Sequence, residues 1–181
     1  VSSSADDSRR VTADAAPGRL VAAGGAVRSG IALAVCALVV AGATASDGGV
    51  AGTVRVSESG DAVGGVVFLE KVGASPEPVE ARTILDQKGL DFAPHVLVVQ
   101  VGATIEIHNS DTVLHNIFAP GETGASFNLG TWPAGESRSR RFETVGVTTV
   151  LCNVHPEMEA FIVVVPAAHW RKLSPGGAFR L

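Results

Sequence analysis

Short apolar runs alternating with polar residues, each closed by a turn signal, extend from Val50 to Pro166. In Thr104-Ile105-Glu106-Ile107-His108 the alternation is strict, so Ile105 and Ile107 should face a core while Glu106 and His108 face water. The run Phe161-Ile162-Val163-Val164-Val165 is apolar on both faces, as expected of a central strand. Strands are predicted at Val50–Val56, Gly65–Lys71, Arg82–Asp86, Val96–Val101, Thr104–Asn109, His115–Phe118, Ser137–Phe142, Val147–Leu151 and Ala160–Val165. The turns between them, such as Gln87-Lys88-Gly89 and Val101-Gly102-Ala103, carry glycines where positive backbone angles are cheap. No helical period follows residue 46 and no repeat is visible. The pattern predicts an all-β sandwich.

The first 45 residues break this pattern. They are rich in Ala, Ser and Arg and contain the apolar run Ile31-Ala32-Leu33-Ala34-Val35-Cys36-Ala37-Leu38-Val39-Val40. Arg28 precedes the run and Ala43-Thr44-Ala45 follows it, which together read as a secretory signal peptide cleaved after Ala45. Retention as an uncleaved membrane anchor is the alternative, although the run is short for a spanning helix. Ser8-Arg9-Arg10 is a distant twin-arginine signal, and Leu33-Ala34-Val35-Cys36 a poor lipoprotein box. Three segments result: a signal peptide and leader at 1–45, a β-sandwich at 46–166, and a loosely held tail at 167–181.

Composition narrows the function. The 181 residues are 46% hydrophobic and 18% charged, enough apolar material for one packed domain. Cleavage after Ala45 would leave Cys152 as the single cysteine, so no internal disulfide could form even in an oxidising compartment. A lone exported thiol needs an occupant, and a metal ion is a good one. From Ser46 onward 10 Lys+Arg face 15 Asp+Glu, a net of −5, which argues against nucleic acid or anionic lipid as partner.

The chemistry is concentrated in two places. Cys152-Asn153-Val154-His155-Pro156-Glu157-Met158 puts a thiolate, an imidazole and the chain's one methionine within seven residues. Upstream, Asn109-Ser110-Asp111-Thr112-Val113-Leu114-His115-Asn116 offers a second imidazole at a strand start. Two nitrogens, one thiolate and one weak thioether form the donor set of a blue-copper electron-transfer site: His115, Cys152 and His155 in a trigonal plane, with Met158 as the long axial ligand. Three of the four come from one loop held at both ends by strands, which limits rearrangement between Cu(II) and Cu(I).

These segments resemble the cupredoxins, especially the small plastocyanin- and amicyanin-like proteins. The loop spacing Cys-x-x-His-x-x-Met is the short one typical of amicyanin. Phe92-Ala93-Pro94, Val101-Gly102-Ala103-Thr104, Phe127-Asn128-Leu129-Gly130 and Phe142-Glu143-Thr144-Val145-Gly146 also match, and look like a subgroup labelled methylamine utilisation proteins. The resemblance covers about Val50 to Val165. It implies a Greek-key β-sandwich, one type 1 copper ion, and His115, Cys152, His155 and Met158 as its ligands. It also implies that Asn116 ties the ligand loops together and offers a hydrogen bond near the thiolate. Gly49–Arg82 is longer than in the smallest cupredoxins and should add a hairpin at the sandwich edge.

The function expected is a soluble, exported or periplasmic electron carrier, not an enzyme. It would act as a monomer between a redox donor and a redox acceptor, without stable membrane association once the signal is removed. The alternative is a copper carrier or storage protein that delivers the metal without cycling it. Zinc stays open if Glu157 supplies a fourth, hard ligand. His95 could serve a second metal but reads better as a surface or capping residue; His108 reads as a solvent-facing residue and His169 as a tail residue without a partner. Arg138, Arg140 and Arg141 read as a charged edge that discourages aggregation rather than a docking patch.

Overall fold

The computed structural model describes residues 11–15, 18–23, 50–54, 65–69, 83–121, 126–166 and 168–181. The apolar run at 31–40, with the signal-peptide reading attached to it, lies outside them. The chain forms two compact units, residues 1–75 with 169–181 and residues 76–168. Every described element is a strand.

The unit of residues 76–168 holds the chemistry. Its strands, numbered in chain order after the four of the other unit, are β5 (Thr83–Gln87), β6 (Phe92–Ala93), β7 (Val96–Gln100), β8 (Thr104–Asn109) and β9 (His115–Ala119). They continue with β10 (Phe127–Trp132), β11 (Ser137–Arg141), β12 (Gly146–Leu151) and β13 (Glu159–Val165). One sheet has the order β10-β9-β12-β13-β7 and the other β11-β8-β5-β6. The chain changes sheet between β6 and β7, β7 and β8, β8 and β9, β10 and β11, and β11 and β12, the crossing pattern of a Greek-key sandwich. Parallel pairing occurs between β5 and β8 and between β7 and β13.

Alternation places the core where expected. Ile105 and Ile107 of β8 are fully buried, and Glu106 and His108 are half-buried on the other face. Leu85 and Phe92 join them from the same sheet. Val99, Ile117, Trp132, Val150, Ile162 and Val164 meet them from the facing sheet in one cluster. Val163 and Val165 are buried as well, so β13 is apolar on both faces for a structural reason.

Strand β10 was not expected from the pattern. Its exposures alternate weakly, and a register shift between Asn128 and Thr131 interrupts its pairing with β9. Gly130, at φ 78°, sits in that shift, so the break in alternation is a bulge.

The other unit includes the C-terminal residues 169–181. Its strands are β1 (Val11–Ala15), β2 (Gly18–Ala23), β3 (Ala51–Thr53) and β4 (Val66–Leu69), completed by β14 (Trp170–Lys172) and β15 (Ala178–Arg180). β14 pairs with β4 and β15 with β3. Leu173 and Phe179 are buried against Val54 and Val67, and this apolar contact holds the last residues in place. Within the segment expected to add a hairpin, the described strands β3 and β4 pair with the C-terminal strands. The hairpin β1–β2, inside the stretch read as leader, pairs with β4 through β2. No helix among the described residues is long and apolar enough to cross a membrane.

Candidate metal centre

Two loops carry the candidate donors. The first joins β8 to β9 and is braced by Asn109, which is almost fully buried at the end of β8. Its amide donates to the carbonyls of Val113 at 2.8 Å and Trp132 at 3.1 Å, while its Oδ1 accepts from the Asp111 N–H at 3.0 Å. These bonds replace the ladder hydrogen bonds the chain loses on leaving the sheet. They also deliver His115 to the first position of β9 with its ring fully buried.

The second loop runs from Cys152, just past β12, to Met158, just before β13. It is closed by backbone bonds from the Cys152 N–H to the Met158 carbonyl at 3.3 Å and from the Met158 N–H to the His155 carbonyl at 3.1 Å. Cys152 is free and buried, Met158 is fully buried, and His155 is half-buried.

The loops bring three donors together. Nδ1 of His115 and Nδ1 of His155 are 3.1 Å apart, and each lies 4.0 Å from Sγ of Cys152. Among the described residues this is the one group of histidine, cysteine and carboxylate side chains close enough to hold a metal ion. A triangle with these sides has its centre about 2.2 Å from each corner, matching metal–imidazole bonds of about 2.0–2.1 Å and metal–thiolate bonds of about 2.3 Å. The donors therefore fit one small metal ion in their plane. Glu157 is exposed and outside the cluster, so the hard fourth ligand that zinc would need is not there. The thioether of Met158, buried on the same loop, is the soft alternative.

Asn116 ties the loops together. Its backbone N–H points at Sγ of Cys152 from 3.4 Å, and its Oδ1 accepts from the Asn153 N–H at 3.4 Å. Its Nδ2 donates to Oδ1 of Asn128 at 2.9 Å and to the Gly130 carbonyl at 2.8 Å. The left-handed Gly130 turns that carbonyl toward Asn116, so the bulge in β10 serves the site.

The sequence reading did not assign a role to Asp111. Its Oδ2 accepts from Nε2 of His115 at 2.7 Å, which leaves Nδ1 unprotonated and facing the other donors. The N–H groups of Leu90 and Gly89, with a smaller contribution from His115, hold the Asp111 carboxyl down at about 2, so it is ionised near neutrality. A carboxylate four residues before a ligand-type histidine was the available signal.

The remaining candidates lie elsewhere. His95 is exposed; its carbonyl accepts from the Phe161 N–H, and its ring meets that of Phe161 edge-on at 5.4 Å. His108 faces Glu106 at 3.1 Å on the outer side of β8, and His169 is exposed. Arg138 and Arg140 stand over the rings of Trp132 and Phe127, at 5.5 and 4.2 Å from the ring centres. Their strand, β11, is the sheet edge.

No protein-family model matches the chain. Among solved structures it is similar to a copper-containing nitrite reductase from Thermus scotoductus SA-01, at 24% identity over 51% of this chain and a TM-score of 0.44. That match spans 27% of the reductase chain. A purple cupredoxin from Nitrosopumilus maritimus matches at 25% identity over 45% of this chain and 98% of its own, with a TM-score of 0.41. A mutant of amicyanin in its Cu(I) form matches at 21% identity over 52% and 92%, with a TM-score of 0.43. At one end of a Greek-key β-sandwich this chain gathers two imidazoles and one thiolate into a cluster fit for a single metal ion.

Proposed function

We propose that this protein is a cupredoxin, a type 1 copper protein that passes single electrons between a redox donor and a redox acceptor. The observation that carries this reading is the triangle of His115 Nδ1, His155 Nδ1 and Cys152 Sγ, with the chain's one methionine, Met158, buried on the same loop. Bound copper would supply one-electron exchange between Cu(II) and Cu(I), which this mixture of soft sulfur and imidazole suits.

Each residue has a part. The Cys152 thiolate is the strongest donor, and the Asn116 N–H aimed at its sulfur stabilises charge there. His115 is a fixed, buried ligand. His155, half-buried, brings the site to the surface. Met158 is the weak fourth donor, so no coordination position is left for a substrate. This is a carrier, not an enzyme.

Partners dock at the same end. Leu114 and Val154, each next to a ligand histidine in the chain, are 53% and 44% exposed, and Val113 is 42% exposed. Apolar side chains this open suit a brief, non-polar contact that brings a partner's redox group close to His155. The setting is an exported or periplasmic one, where metal ligation protects the Cys152 thiol from oxidation.

The test is the visible and EPR spectrum of the purified protein after one equivalent of Cu(II). An intense blue thiolate charge-transfer band with a narrow copper hyperfine splitting, bleached reversibly by reductant, is the expected result. A pale or colourless product would overturn electron carriage at this site.

A further inference from the structure

The turn between β5 and β6 is a two-residue hairpin turn, closed by the Lys88 N–H donating to the Asp91 carbonyl at 3.0 Å, and such turns place both central residues at positive φ. Gly89 and Leu90 both lie in the left-handed region, at φ 68° and 59°. For leucine this conformation is strained, and the Leu90 side chain is 45% exposed, so core packing does not demand it. In this turn two successive N–H groups face one anion. The anion is the Asp111 carboxylate. Its Oδ1 accepts from the Gly89 N–H at 2.6 Å and its Oδ2 from the Leu90 N–H at 3.0 Å. The same Oδ2 accepts from His115 Nε2. The Ser110 N–H, donating to the Gln87 carbonyl at 3.0 Å, fastens the two loops beside this contact.

We propose that the turn at residues 88–91 is a positioning device for the metal ligand: the N–H groups of Gly89 and Leu90 fix the Asp111 carboxylate, which fixes the tautomer and ring plane of His115. The hairpin geometry sets the positive φ of Leu90, and the same geometry presents both donors to one carboxylate. The device acts before any metal arrives, because each of its bonds is internal to the protein. With metal bound, the negative charge behind the imidazole makes His115 a better donor to Cu(II) than to Cu(I), and so lowers the reduction potential. That consequence rests on the copper reading; the tautomer does not.

The two are separated by measuring each. In metal-free protein, 15N NMR should show His115 as the single Nε2–H tautomer, with slow exchange of the Gly89 and Leu90 amide protons. Asp111→Asn should give mixed tautomers and fast exchange at both amides. Leu90→Pro, which removes one N–H and forbids positive φ, should disturb the His115 ring in the same direction. Leu90→Gly, which keeps the left-handed turn, should leave it as in the wild type. With copper, Asp111→Asn should weaken Cu(II) binding relative to Cu(I) about tenfold, a rise of about 59 mV in potential. An unchanged His115 tautomer in folded Asp111→Asn would overturn the proposal. So would a His115 ring that responds to Asp111→Asn but not to Leu90→Pro, because the turn would then play no part. A wild-type protein that takes up no copper yet shows this tautomer pattern would count against electron carriage while upholding the positioning device.

Discussion

The two loops of the metal centre reach the same point by opposite means. The β8–β9 loop is held by side chains: Asn109 bonds to three backbone groups, and Asp111 bonds to the next turn and to His115. The Cys152–Met158 loop is closed by its own backbone, with Asn116 reaching across from β9. One histidine ends up fully buried and braced from behind. The other is half-buried, and its ring Nδ1 faces the other two donors. The difference teaches a division of labour. A metal that exchanges electrons with a partner needs one ligand that does not move and one that reaches the surface.

The largest break in this comparison is Cys152→Ser, which removes the donor between the histidines; the intense visible band should disappear, as an absorption spectrum would show. Next comes the asymmetry in bracing. Asn109→Ala strands the buried Trp132 carbonyl and should cost about 1–3 kcal/mol, read as a lower denaturant midpoint. Glu157→Ala, on the exposed part of the other loop, should stay within about 0.5 kcal/mol. Equal losses from the two loops would remove the distinction. Met158→Leu conserves volume and should cost less than about 1.5 kcal/mol, with copper retained and its potential changed. The smallest structural effect belongs to Val154→Ser: an unaltered spectrum, with slower electron exchange with a protein partner in stopped-flow measurements.

How much of this was legible depends on whether local pattern or distant contact decides the structure. Strand β8 was readable to the residue because Ile105 and Ile107 alternate with Glu106 and His108 on a half-buried sheet. The two donor segments were readable because the residue types are rare and closely spaced. Strand β10 was hidden by its bulge at Gly130, and the C-terminal strands by their brevity, three residues each, with partners more than 100 residues earlier in the chain. Asp111 was hidden for another reason. Its role depends on the backbone of Gly89 and Leu90, twenty-one and more residues away, and no composition or period reports where an N–H points.

The donor triangle also has a thermodynamic consequence. Cys152 and His155 are neighbours in any conformation, but His115 is 37 residues from Cys152 and joins them only when β9 and β12 are in place. The unfolded chain thus offers two near donors where the native protein offers three. Any metal bound by all three is a ligand for the native state and shifts the folding equilibrium by mass action, by about 2.7 kcal/mol at a free concentration one hundred times the dissociation constant. Metal supply then becomes a determinant of how long the molecule survives: starved of metal, it opens more often and meets proteases more often.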